Sequence, residues 1–236
     1  MLILSHVFAG MVLGISVSYL LRIRPAVGVA VLGALLPDLL DKPLALFIFP
    51  GPTSIGQTFG HTLLFCLIIL AAALIVSRGY HTGLALLLPA GVLLHQVMDL
   101  AWLDPVTWVY PALGPLLPCA CGGAGYVAMK SLAEVSSVSE WIFLLVIILL
   151  AALIFHERIA TWTGHDPASP GRRLFPAAIV LLVLLGLAAG FSGALDLPTP
   201  LEAGEMSLSE DLMLSIVSLI GAVILYEKRD RILNPI

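Results

Sequence analysis

Charge is scarce in this chain. Asp, Glu, Lys and Arg supply 11% of its 236 residues, and the formal net charge is -4. No basic stripe exists to meet a phosphate backbone, which excludes nucleic acid as a partner. Cysteine is rarer still. Cys66, Cys119 and Cys121 are too few for a disulfide framework and lack zinc-finger partner spacing, so the C-x-C at 119–121 reads as packing or incidental thiols. Internal repeats, low-complexity tracts and a separable soluble domain are also missing.

Apolar length is what the chain has instead. Hydrophobic residues make up 60% of it, and the mean hydropathy is +1.07. A water-soluble domain of this size cannot hide such runs, so the composition reads as a polytopic membrane protein. Seven stretches approach the length that crosses a bilayer core: 4–21, 26–40, 62–77, 83–101, 141–156, 174–191 and 212–226. The first has no basic residue before it and Arg22 and Arg24 after it, so it reads as a retained helix rather than a cleaved leader. The expected fold is an all-α bundle of about seven transmembrane helices, multi-pass in the cell membrane. Residues 1–140 form an expected metal-site membrane domain of four helices plus an outer loop, and 141–236 a C-terminal three-helix segment.

The few charges are distributed unevenly. If the spans alternate, one side receives Arg22, Arg24, Arg78, Arg158, Arg172, Arg173, Lys228, Arg229 and Arg231, and the other only Lys42 and Lys130. By the positive-inside rule the N-terminus then lies outside and the C-terminus inside. The connection 192–211 holds Asp196, Glu202, Glu205, Glu210 and Asp211 with no base, and falls on the outer side.

On that map His6, Asp38, Asp41, His61, His95 and Asp99 all reach the same membrane face. An ionisable side chain in a membrane segment costs several kcal/mol unless paired, wetted or bound to an ion, so these six predict one shared outward-facing site. His95 and Asp99 stand at i and i+4, Asp38 and Asp41 at i and i+3, so each pair projects from one helix face. Gly91, Gly10 and Gly14 keep the ligand-bearing faces free of bulk, which lets helices approach closely in lipid. Pro37 and Pro43 are expected to end the second span and free backbone carbonyls near the carboxylates.

Three imidazoles with up to three carboxylates suit Zn²⁺ or another first-row divalent ion, singly or as a pair sharing one carboxylate. Mg²⁺ and Ca²⁺ call for more oxygen. A hydrolytic metal acidifies its water, and a carboxylate not spent on the ion can act as general base, for which Asp41 is nominated.

The stretches LGALLPDLLD at 32–41, GHTLLF at 60–65 and GVLLHQVMDLAWLDPVTWVYP at 91–111 resemble the YdjM-like family of membrane-bound, metal-dependent hydrolases. The order His, Asp, His, then HxxxD is also similar to that of zinc-dependent phospholipases C and related single-strand nucleases. The resemblance implies His6, Asp38, His61, His95 and Asp99 as metal ligands. Where the family tends to carry His-Arg-Gly before the third-span histidine, this chain reads Gly56, Gln57, Thr58. The further His and His-x-x-x-Glu of the phospholipases have no counterpart on the outer side, which points to one or two ions rather than three.

Each residue also has a plainer reading. A lone His at a helix end, such as His6 or His61, is more often interfacial than a ligand, and His95 and Asp99 can pair across one turn; it is their assembly that favours a metal. Asp38 and Asp41 can be a solvated helix end with Lys42 as counter-ion. His156 and His165, beside Glu157 and Asp166, decorate a solvated inner loop in this reading, and Asp104 before Pro105 is a turn or cap. His81, beside Arg78 at the inner surface, is set aside. The loop 102–140 either roofs the site or anchors its aromatics at the headgroups, and 126–138 has the makings of a short surface helix.

The expected activity is hydrolysis of a phosphoester in a membrane lipid or headgroup at the outer face, the lipid or a lipid-derived substrate being the partner; the oligomeric state stays open. The rival class, a transporter or metal-ion carrier, places polar groups near the midplane in broken helices, often in both halves. Spans five to seven carry no charge at that depth. A non-catalytic scaffold, the third class, purifies without metal.

Overall fold

A computed structural model describes residues 3–21, 27–44, 58–80, 83–115, 138–164, 168–195 and 208–230, with the single positions 129 and 132. Every regular element among the described residues is helical. The helices are α1 (Ile3–Leu21), α2 (Val27–Pro43), α3 (Leu63–Tyr80), α4 (Leu87–Met98), α5 (Pro105–Trp108), α6 (Val138–Ile154), α7 (His156–Thr163), α8 (Ala168–Leu195) and α9 (Leu208–Glu227), with 3-10 turns at Phe59–His61, Gly83–Leu86 and Ala101–Leu103. Cys119, Cys121, His81, His165, Asp166, most of the expected surface helix over 126–138 and most of the acidic connection over 192–211 lie outside the described residues.

Two helices are long and apolar enough to cross a membrane, α3 and the stretch Leu174–Ser192 of α8. A third is added if Glu140–Ile154 and His156–Thr163, bent by 72° relative to each other, are one broken span. On α3 the large side chains Leu67, Ile68, Leu74 and Ile75 are exposed, as suits a helix that faces hydrocarbon.

The core gathers around α1. Phe8, Met11, Val12 and Ile15 pack with Phe143, Val146 and Leu150 of α6, Leu182 and Leu185 of α8, and Leu214 and Ala222 of α9. On another side α1 meets α2, and α2 meets α4. Glycine sets those separations. A Cβ on Gly10 would stand 2.8 Å from the Val31 Cα, one on Gly14 2.6 Å from the Val27 Cα, and one on Gly91 2.4 Å from the Ala30 carbonyl oxygen. Small residues at such crossings let helix backbones approach closely, and the packing of α1, α2 and α4 rests on that approach. In α8 and α9 the same device recurs: Gly186 and Gly190 face Ser215, whose Oγ donates to the Gly186 carbonyl at 2.7 Å.

Buried polar groups are matched across helices. The Leu4 amide at the start of α1 donates to both oxygens of Glu140 on α6, at 3.2 and 3.0 Å, placing a carboxylate at the positive end of α1. Ser192 donates to Asp211 at 3.1 Å.

Two elements differ from expectation. α2 continues through Pro37 and stops at Pro43; Pro37 forfeits one backbone hydrogen bond and crowds the carbonyl four residues back, a cost that packing of α2 between α1 and α4 offsets. His156 does not decorate a solvated loop. It lies in the bend between α6 and α7, 3% exposed, with its Nδ1–H donated to the Leu153 carbonyl at 2.7 Å. Asp104 caps α5 as expected, accepting from the Thr107 amide at 3.4 Å, with Pro105 at the first helical position.

Candidate metal centre

Four elements deliver side chains to one point. α1 brings His6, the end of α2 brings Asp38 and Asp41, the turn before α3 brings His61, and the last turn of α4 brings His95 and Asp99. His6, Asp41, His61 and His95 are fully or almost fully buried. One ligand atom from each of Asp38, His61, His95 and Asp99 lies within 4.8 Å of the others, a group with the residue types and spacing to hold a metal ion.

Hydrogen bonding fixes how the two central imidazoles face. His95 Nδ1 lies 2.6 Å from the Ala34 carbonyl oxygen, and His61 Nδ1 lies 2.8 Å from Asp41 Oδ2. A carbonyl and a carboxylate only accept, so each ring carries its hydrogen on Nδ1 and, when neutral, a lone pair on Nε2. Those Nε2 atoms face each other at 3.1 Å. Two imidazole nitrogens at that distance share a positive charge, either a proton held on His61 Nε2 or a metal ion that replaces it, and imidazoles oriented through the opposite nitrogen are the usual form of metal-binding histidine. Asp99 Oδ2 completes the triangle, 3.3 Å from His61 Nε2 and 3.4 Å from His95 Nε2.

Asp38 and His6 stand further out. Asp38 Oδ1 is 3.9 Å from each of the two Nε2 atoms, and its Oδ2 pairs with Lys42 Nζ at 2.9 Å. The His6 ring stacks on His95 with centroids 4.0 Å apart, and its Nε2 addresses the far oxygen of Asp99, Oδ1, at 3.1 Å. Asp99 thus has one oxygen toward the paired histidines and one toward His6.

Asp41 is fully engaged. Its two oxygens accept from the Thr58 amide at 2.7 Å, the Gly60 amide at 2.9 Å and the His61 ring at 2.8 Å. Burial opposes charge on His61, but the hydrogen bonds from its ring to Asp41 and Asp99 prevail and raise its pKa to about 9. A Cβ on Gly60 would meet the Pro37 carbonyl oxygen at 2.8 Å, so the turn closes on α2 only with glycine there.

Residues outside the expected set build the frame. Gln96, fully buried, donates to the Gly60 and Thr62 carbonyls at 3.1 and 2.8 Å and accepts from Trp108 Nε1 at 3.2 Å. Its signal in the sequence is an amide directly after His95 in an apolar helix. Thr62 Oγ1 accepts from the Phe65 amide at 3.1 Å and caps α3. Cys66 stays outside the group, its Sγ 3.7 Å from the Pro89 carbonyl oxygen.

The profile of the YdjM inner membrane protein family matches residues 1–194. The chain belongs to this family. All six polar residues of the cluster fall inside the matched YdjM region. Comparison with curated proteins and with solved structures finds no match.

Proposed function

We propose that this YdjM family member is a membrane-embedded, metal-dependent hydrolase that acts on a phosphoester of a lipid or headgroup at the outer membrane face. The observation that carries the reading is the close triangle of His61 Nε2, His95 Nε2 and Asp99 Oδ2. Zinc ligands at about 2.0–2.1 Å in a tetrahedron stand about 3.3–3.4 Å from one another. The triangle of His61, His95 and Asp99, with edges of 3.1, 3.3 and 3.4 Å, has that size. His61, His95 and Asp99 would hold one zinc ion, which when bound would supply Lewis acidity and acidify a water near neutral pH.

The remaining residues then take distinct parts. Asp41, with every oxygen engaged, holds the His61 ring in the ligating tautomer and strengthens its basicity, and the general-base role passes from Asp41 to Asp38. Asp38 is the outermost member of the group, its Oδ1 3.9 Å from both Nε2 atoms, and there it can accept the proton from attacking water. His6 holds Asp99 through Oδ1, while Oδ2 faces the two histidines. The seven-span arrangement, N-terminus outside, belongs to this reading and puts the site at the outer leaflet.

Purification in detergent, with bound metals measured for wild type, Asp99→Asn and His61→Ala, tests the proposal. Zinc near one equivalent in wild type, its loss in both variants and parallel loss of phosphoester hydrolysis are expected. Unchanged metal content in both variants would overturn it. Labelling of an introduced cysteine at position 204 from inside the cell alone would overturn the orientation.

A further inference from the structure

We propose that Lys42 is the group that receives the negative charge of the substrate's phosphate. This inference rests on the metal-dependent reading above. Lys42 stands one turn beyond Asp38 on α2, and its ammonium reaches back onto Asp38 Oδ2 at 2.9 Å, as helical side chains lean toward the N-terminus of their helix. Exposure rises step by step along this path. The His95 side chain is 0% exposed, Asp99 5%, Asp38 11% and Lys42 22%. The ammonium is therefore the most exposed charged group of the four, and Asp38 stands between it and the buried ligand triangle.

Charge balance gives the lysine its purpose. One divalent ion brings two positive charges to three carboxylates, Asp38, Asp41 and Asp99, and with neutral imidazoles the site is left with one negative charge. An anionic phosphate would be repelled. Lys42 cancels that charge from the side on which a ligand arrives, and an ammonium is a compact point charge suited to a phosphate oxygen. Its bond to Asp38 also places it beside the proposed base, so an anchored phosphate sits next to the carboxylate that takes the proton.

The test uses zinc-loaded full-length protein in detergent at fixed ionic strength, with inorganic phosphate and a short-chain lysophosphatidic acid as titrants in a calorimeter. Lys42→Met is expected to weaken binding of both titrants about tenfold or more, Lys42→Arg to retain it within a few-fold, and zinc affinity, measured by chelator competition, to stay the same in all three proteins. Tighter binding of the lipid than of inorganic phosphate assigns the anion to a headgroup, and equal binding assigns it to free phosphate; Lys42 is the receptor in either case. Phosphate binding unaltered by Lys42→Met, or a fall in zinc affinity that accounts for the loss, overturns the assignment and leaves the lysine a brace for Asp38. Wild type that takes up no zinc removes the underlying hydrolase reading, and the role of Lys42 falls with it.

Discussion

Asp41 Oδ2 and His61 Nδ1 lie 2.8 Å apart in full burial, and that bond decides which nitrogen of His61 faces His95 and Asp99. The carboxylate can only accept, so the ring hydrogen is held on Nδ1 and the Nε2 lone pair is turned toward His95.

Asp41→Asn keeps the shape and reverses this logic. The amide nitrogen would confront the ring N–H or one of the Thr58 and Gly60 amides, and the ring escapes by moving its hydrogen to Nε2, where it blocks the ion. Zinc affinity is expected to fall about 10- to 100-fold, as removal of a carboxylate behind a ligating histidine commonly does. Chelator competition reads the change, and an affinity within threefold of wild type would contradict the orienting role.

Zinc uptake should strengthen with pH. In the metal-free site His61 keeps its proton until about pH 9, and an imidazole must be neutral to ligate, so the ion competes with that proton throughout the neutral range. Apparent affinity is expected to rise about tenfold per pH unit between pH 7 and 8.5, with close to one proton released per ion at pH 7. Calorimetry in buffers of different ionisation enthalpy counts the proton; a pH-independent affinity would count against the ligand role of His61.

Gly91→Ala strikes the contact of α2 with α4. The added methyl meets the Ala30 carbonyl oxygen at 2.4 Å and the Ala34 amide nitrogen at 2.8 Å, both backbone atoms that cannot rotate away. A loss of about 1–3 kcal/mol is expected, seen as a lower Tm in detergent, together with weaker zinc binding because α4 carries His95 and Asp99. Gly79→Ala, inside α3 with nothing within 4 Å of the new methyl, is the matched control; it should lower neither and raise Tm slightly through helix propensity.

Gln96→Leu deletes three hydrogen bonds at once and leaves the Gly60 and Thr62 carbonyls and the Trp108 indole without this partner. A buried group deprived of its partner costs about 1–3 kcal/mol, so the variant should melt well below Trp108→Phe, which loses one bond. Equal melting temperatures for the two would show that the turn holding His61 does not depend on Gln96.

The convergence of His6, Asp38, His61, His95 and Asp99 was expected from their residue types and helical spacing, and their side chains do come together. The division of labour was not legible in the sequence. Asp41 looks like another ligand until the chain returns 17 to 20 residues later and surrounds it with Thr58, Gly60 and His61, a pairing no local pattern reveals. The extent of α2 was misjudged at Pro37, where tertiary packing keeps a helix going through a residue that usually disrupts one. The 72° bend after α6 has neither Pro nor Gly at Phe155 and His156, so nothing local marks His156 for the interior.

One helix, α1, serves two masters: His6 faces the histidine stack while Phe8, Met11, Val12 and Ile15 are locked among the C-terminal helices. Inserting a single residue between His6 and Phe8 would swing one set about 100° out of phase with the other. A rotation of α1 that suits its packing among the C-terminal helices therefore also sets where His6 meets His95 and Asp99.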